Sequence, residues 1–316
     1  MLGKTTRILF FGIYNFGLLS LDSLIRHGFN IVGVVTKPAG PGETQVVAEF
    51  ARLNKLPLLA PETPRYHEFD RQIRRLQPEL IVVAGYHKKI PPDILGIPPL
   101  GVINLHAGLL PAYRGPCTWK WALINGDSLT GVTVHDMTPE LDKGDIIAQR
   151  SFAIADDDTA GSLFDKFCIH GAELLRETLE QWAAGSISRV AQDESLASYF
   201  SYPTDEDACI TWYAEAQKIR NLIRGLNPSP GAWTQYLGTR LIIGSAEAQK
   251  GSGSGDPGRI IDWDNTGIVV GTATDDLVIG QLRLVGHPET GIRDVVRKLG
   301  IGRGEGFARE RVAGNL

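Results

Sequence analysis

The segment that most constrains the fold is Leu80-Ile-Val-Val-Ala84, an unbroken apolar run bounded by polar residues and turn formers. A strand with one wet face alternates apolar and polar residues. A run like this one is apolar on both faces and suits a central strand covered from above and below, as in parallel sheets. The flanking segments agree. Arg7 to Gly12 is a β-branched and aromatic run ending in glycine, Leu18, Leu19, Leu21, Leu24 and Ile25 recur at helical spacing, and Ile31 to Val35 is a second strand, which together make a β-α-β unit. Val46 to Leu53 reads as a helix, Leu56 to Leu59 as a strand that Pro57 confines to an edge or a strand start, and Phe69 to Leu76 as another helix. The alternation predicts an α/β fold, a parallel-type sheet with flanking helices.

Gly131 to His135 and Ile146 to Phe152 are further strands. Asp156-Asp-Asp-Thr159 then sets carboxylates at the positive end of a helix carrying Leu163, Phe164, Phe167, Leu174, Leu175 and Leu179 toward the sheet. From about Ile187 to Asp207 the chain is polar and irregular, so the expected organisation is a domain over 1–189, a linker over 190–206 and a second domain over 207–316. In that second part a helix through Ile219, Leu222, Ile223 and Leu226 stops at Asn227-Pro-Ser-Pro-Gly231. Short strands follow at Thr234–Tyr236, Arg240–Ile243, Arg259–Ile261, Ile268–Val270, Leu277–Ile279 and Leu282–Val285, the pattern of a small β-barrel, with Gly251–Gly258 as a solvated loop.

Composition excludes several classes. With 43% hydrophobic and 22% charged residues over 316 residues, the chain is ordinary globular protein with room for two cores. A formal charge of -4 gives no basic field, so a nucleic-acid partner is not expected. Cys117, Cys168 and Cys209 are an odd set without close spacing, which argues against a disulfide framework or a thiolate zinc site and for a reducing, cytoplasmic setting. The apolar run after the amino terminus is too short for a secretory segment, and no uncharged span reaches membrane length. His87 and His135 lack paired ligand spacing, so no metal is expected. Gly12-Ile-Tyr-Asn-Phe-Gly17 lacks the spacing of a dinucleotide-binding loop, though a phosphate of an acceptor could approach it.

Chemistry concentrates in Gly101-Val-Ile-Asn-Leu-His-Ala-Gly-Leu-Leu-Pro-Ala-Tyr-Arg-Gly115 and Leu141-Asp-Lys-Gly-Asp-Ile-Ile147. The first puts the Asn104 amide and the His106 imidazole at a strand end, and the second brings the Asp142 carboxylate. These are the parts needed to stabilise an oxyanion and move protons in acyl transfer. Asn-x-His alone is a weak signal, since a histidine beside an apolar strand is usually structural. With Leu109-Leu-Pro111, Tyr113-Arg-Gly115, Thr130-Gly-Val-Thr133 and Leu141-Asp-x-Gly-Asp-Ile146 in order, the stretch resembles the folate-dependent formyltransferases. Ile210-Thr-Trp212, Ile223-Arg-Gly-Leu226 and Pro230-Gly-Ala-Trp233 extend the likeness into the second domain of the two-domain members.

The resemblance implies a Rossmann-like catalytic domain followed by an OB-like β-barrel. It also implies N10-formyltetrahydrofolate as co-substrate, no metal, and transfer of its formyl group to a primary amine. Asn104 and His106 would donate to the developing oxyanion. Asp142 would hold the imidazole protonated, take the proton shed by the amine, or do both. The donor pocket would be lined by Tyr86, Lys88, Lys89 and Ile90, by Leu109, Leu110 and Pro111, and by Thr138, Pro139, Glu140 and Leu141. Gly108 stands where the family pattern commonly has serine, and Pro116 where it often has a polar or small residue. The short Lys37–Glu43 turn, without the basic insertion usual in tRNA-formylating members, points to the relatives acting on UDP-4-amino-4-deoxy-L-arabinose. A nucleotide-linked 4-amino sugar is therefore the first expected acceptor. Methionyl-tRNA, an amino acid or a natural-product amine, and a non-catalytic folate-binding module, are the alternatives, and a homodimer is left open.

Overall fold

The computed structural model describes residues 2–38, 40, 45–62, 67–251, 256–287 and 291–308. Ala39, Pro41, Gly42 and Glu43 of the Lys37–Glu43 turn, and 252–255 of the Gly251–Gly258 loop, lie outside them. The chain forms two compact units. The first comprises Met1–Thr118, Leu129–Ala153 and Phe164–Phe200, and the second Trp119–Ser128, Ile154–Leu163 and Ser201–Leu316.

In chain order the elements up to the second unit's last segment are β1 (Ile8–Gly12), α1 (Tyr14–Arg26), β2 (Ile31–Val35), α2 (Val46–Leu53), β3 (Leu58–Leu59), α3 (His67–Arg75), β4 (Leu80–Ala84), α4 (Pro92–Leu95), β5 (Val102–His106), α5 (Thr118–Asn125), β6 (Leu129–Asp136), β7 (Ile146–Ala153) and α6 (Ala160–Ala183). The sheet order is β3-β2-β1-β4-β5-β6-β7. Pairing is parallel from β3 to β5 and antiparallel at β5/β6 and β6/β7, so the sheet is mixed where a parallel one was expected. For β6 and β7 the reason is the loop between Asp136 and Ile146, shorter than the dozen or so residues a parallel crossover needs.

Every residue of β1 and β4 is buried, as the double-faced apolar runs require. Each such Leu, Ile or Phe contributes roughly 1.5–3 kcal/mol by leaving water. One face of the sheet packs Leu9, Phe11, Ile81 and Val83 against Phe69 and Ile73 of α3 and Ile94 of α4. On the other, α6 lies so close over β5 that a Cβ on Gly171 would meet the Leu105 side chain at 2.9 Å. Gly12 and Gly17 have the same explanation: a Cβ on Gly12 would sit 3.0 Å from Gly17 Cα and 3.2 Å from the Ala84 carbonyl. Close helix-to-strand packing accounts for both glycines, with no need of a phosphate.

The second unit is built on α7 (Ala216–Leu226), β8 (Ala232–Tyr236), β9 (Thr239–Gln249), β10 (Ile260–Trp263), β11 (Ile268–Gly271), β12 (Asp276–Leu284) and α8 (Ile292–Leu299). Its five strands are antiparallel in the order β10-β11-β12-β9-β8, around a core that includes Trp212, Ile219, Ile223, Trp233, Leu277 and Val295. The two strands expected at Leu277–Ile279 and Leu282–Val285 are one, β12, whose register against β9 shifts between Ile279 and Leu282. Gly280 sits at that irregularity, where an interior glycine marks a bulge. No helix among the described residues is long and apolar enough to cross a membrane.

Candidate active site

Asn104 and His106 lie two apart on β5, so both point to one face while Leu105 points to the other. Antiparallel pairing sets His135 of β6 opposite Asn104 and Thr133 opposite His106. Four polar side chains thus share one face at the strand end. Asp142 reaches them from the β6–β7 loop. Its Oδ2 lies 3.7 Å from His106 Nδ1, and its Oδ1 lies 3.6 Å from His135 Nε2. The three residues expected to act together are therefore in one cluster, and His106, His135 and Thr133 are all buried in it.

Hydrogen bonds fix the ring states. His135 Nδ1 is 2.8 Å from the Asp136 carbonyl, which only accepts, so Nδ1 carries the proton. Burial is the main cause that lowers the His135 pKa to about 4; the Asp142 charge opposes it and His106 adds to it. The ring is neutral at pH 7, and its Nε2 accepts from Asn104 Nδ2 at 3.1 Å. One N–H of the Asn104 amide is spent on holding the side chain, which leaves the other for a ligand. His106 Nε2–H donates to the Tyr113 carbonyl at 2.7 Å, so its remaining ring nitrogen, Nδ1, is the one that faces the Asp142 carboxylate. A proton placed there points at Asp142.

Asp142 is held from two sides. Its Oδ2 accepts the Gly115 N–H at 2.8 Å, and its backbone carbonyl accepts Gln192 Nε2 at 2.7 Å. The backbone sits at φ +52°, a left-handed conformation that aspartate tolerates better than most residues. Thr133 Oγ1 donates to the Gly108 carbonyl at 2.6 Å and accepts from Leu110 N at 3.2 Å, tying the Gly108–Pro111 loop to β6. The departure at Gly108 has a steric meaning: a Cβ there would lie 2.9 Å from His106 Nε2, so any side chain at this position presses on the imidazole.

The expected donor-pocket residues fall into different environments. Tyr86 packs edge-on against Phe11, and its hydroxyl is buried without a hydrogen-bond partner among the described residues, an orphaned polar atom that fits a polar ligand in this loop. Burial pushes its pKa up to about 12. Lys88 Nζ donates to the Glu62 carbonyl, Lys89 is exposed, and Ile90 is buried in the core beside Val83. Leu110 is buried, Leu109 and Pro111 are half-buried. Thr138 is half-buried and donates to the Glu140 carbonyl at 3.1 Å, while Pro139, Glu140 and Leu141 are exposed. Among the described residues no group of three or more His, Cys, Asp or Glu is placed to hold a metal ion.

By sequence His135 is a strand residue without metal-ligand spacing, and Gln192 falls in the polar, irregular stretch without a motif of its own. The alternation Thr133-Val-His135 mirrors Asn104-Leu-His106 and was a usable signal; the register that makes the pairs meet was not in the sequence. His135 also predicts a pH dependence of stability. Unfolded, the ring takes a proton below about 6.5, whereas folded it resists until about pH 4. Stability is full above about pH 6.5 and falls as pH drops toward 4, by an amount on the order of 3 kcal/mol. Chemical denaturation across this range should show that slope, and His135→Gln should flatten it; an unchanged slope in the variant would place the effect elsewhere.

Residues 6–179 match the family described as Formyl transferase, and residues 203–300 match Formyl transferase, C-terminal domain. A methionyl-tRNA formyltransferase of Ruminiclostridium cellulolyticum is 38% identical over 311 residues, 95% of this chain and 98% of the relative. Its counterpart in Geobacter metallireducens is 38% identical over 293 residues, 91% of this chain and 94% of the relative. Among solved structures, an N-formyltransferase from Helicobacter canadensis in complex with folinic acid and dTDP-3-aminofucose superposes with a TM-score of 0.68 at 17% identity, covering 87% of this chain and 99% of that one. That likeness shows the fold. The matched segments cover the strand ends and loops that carry the cluster, and the chain belongs to the formyltransferase family as an enzyme that takes its formyl group from N10-formyltetrahydrofolate.

Proposed function

We propose that this enzyme formylates the amino group of methionyl-tRNA, and that Asn104, His106 and Asp142 carry the transfer. One observation carries the acceptor. The relatives similar over nearly the whole chain, in both matched segments, are named for methionyl-tRNA, whereas the amino-sugar enzyme is related only at the level of fold. This weighs against the amino sugar and against the expectation that nucleic acid is no partner. A chain of net charge -4 still binds RNA where cations gather. In the second unit Arg293, Arg297 and Lys298 are exposed on α8 with no ion-pair partner among the described residues, and Arg293 and Arg297 line a cavity with Trp263. We place the enzyme in the cytoplasm, a reading supported by an odd set of three cysteines without close spacing in the sequence.

In the proposed reaction the unprotonated amine attacks the formyl carbon, and as the new C–N bond is made the bond from that carbon to N10 of the donor breaks, tetrahydrofolate leaving with a proton on N10. The free N–H of Asn104 donates to the oxygen that gains charge, a well-aimed donor contributing roughly 3 kcal/mol, and His106, whose ring nitrogens face the Tyr113 carbonyl and Asp142, favours that charge electrostatically in its imidazolium form. Asp142 sits where it stabilises the imidazolium and receives the proton shed by the amine. The test supplies N10-formyltetrahydrofolate with charged initiator tRNA in one arm and nucleotide 4-amino sugars in the other. Formyl-methionyl-tRNA should accumulate, with little transfer to sugar. Transfer to a sugar with none to tRNA would restore the amino-sugar reading.

A further inference from the structure

We propose that residues 190–200 form a positioning strap for the catalytic loops, with Gln192, fixed by Arg114, holding Asp142 in its working conformation. The segment lies in neither matched family region, and by sequence it reads as a linker. Its hydrogen bonds say otherwise. Gln192 Oε1 accepts from Arg114 Nε at 3.1 Å and from Nη2 at 2.7 Å, while its Nε2 donates to the carbonyls of Asp142 and Gly144, both at 2.7 Å. Guanidinium only donates and carbonyls only accept, so the amide has one orientation and every polar atom of it is satisfied. One side chain thus joins the loop after β5 to the loop after β6.

Arg114 is a fully buried arginine. Its Nη1 and Nη2 donate to the two oxygens of Glu194 at 3.0 and 2.7 Å, a bidentate pair that satisfies the buried charge. The backbone completes the strap: Arg114 N donates to the Ser198 carbonyl at 2.8 Å, Phe200 N donates to the Arg114 carbonyl at 2.9 Å, and Tyr113 N donates to Ser198 Oγ at 2.9 Å. The Tyr113 and Phe200 rings stack at 4.9 Å. The next residue, Gly115, gives its N–H to the Asp142 carboxylate, so the same anchor that seats Arg114 also aims that donor. Asp142 has a left-handed backbone, and the Gln192 bond to its carbonyl opposes relaxation of that geometry.

Gln192 touches no reacting group; it acts through Asp142, and the inference rests on the proposed role of that residue. Gln192→Ala in the full-length enzyme should lower kcat for formyl transfer on the order of 10- to 100-fold, with KM for the donor little changed, because misplacing a catalytic group penalises the transition state more than binding. Gln192→Glu keeps an acceptor for Arg114 but loses both donors to the Asp142 and Gly144 carbonyls, and it should be as slow. Wild-type kcat in Gln192→Glu would mean that residue 192 only satisfies Arg114, and would overturn the proposal. So would a Gln192→Ala loss that tracks the unfolded fraction. Asn104→Ala separates the two layers: if it retains full turnover, the active-site reading fails whatever Gln192 does. If it is inactive while Gln192→Ala is at wild type, only the strap fails.

Discussion

Asp142→Asn is expected to slow formyl transfer by roughly 10²- to 10⁴-fold, the range of general acid–base catalysis, and to leave the melting temperature essentially unchanged. Asparagine accepts the left-handed backbone found at position 142, and its Oδ1 still receives the Gly115 N–H, so the loop keeps its path. What disappears is the negative charge 3.7 Å from His106 Nδ1, and with it the carboxylate proposed to take the amine's proton. Steady-state kcat with saturating donor, measured beside thermal unfolding, checks both halves. A variant that turns over normally would remove Asp142 from the chemistry; one that unfolds early would show that its charge serves the fold.

Gly144→Ala is expected to lose about 3 kcal/mol of stability and roughly 10²-fold in turnover. A Cβ at this position would fall 1.7 Å from the Asp136 carbonyl oxygen and 2.6 Å from its carbon. Both are backbone atoms, so no rotamer change relieves the contact, and the loop has to lift off β6. Doing so breaks the Asp136 N–H bond to the Asp145 carbonyl, 2.9 Å long, and moves Asp142 from its partners. Denaturant unfolding and kcat on one preparation test the claim; an alanine variant of native stability would show that the loop takes another course there.

Local periodicity carried much of the fold. Val46–Leu53 is a helix with the bounds its apolar spacing implies, and Leu80–Ala84 is the buried strand its composition demands. What periodicity does not encode is strand direction and register. The mixed sheet and the single bulged β12 were both lost in that way. Helix α8 was overlooked because Ile292, Val295 and Val296 are interleaved with Arg293, Asp294, Arg297 and Lys298, so that a good apolar face hides in a polar average. The site divides similarly. Asn104, His106 and Asp142 stand in motifs with chemical content. His135 and Gln192 owe their places to cross-strand pairing and to contacts with partners about 50 to 80 residues away, for which a polar, aperiodic stretch leaves no trace.

The strap also bears on modularity. The two family matches leave residues 180–202 between them, which invites chimeras that exchange everything beyond the first matched segment. Such a junction would pair Arg114 and the Asp142 loop with a foreign 190–200 segment. A junction placed after Phe200 keeps each catalytic loop with the segment proposed to brace it, but it leaves Trp119–Ser128 and Ile154–Leu163, which belong to the second compact unit, on the amino-terminal side, so an exchange there has to carry those two segments as well.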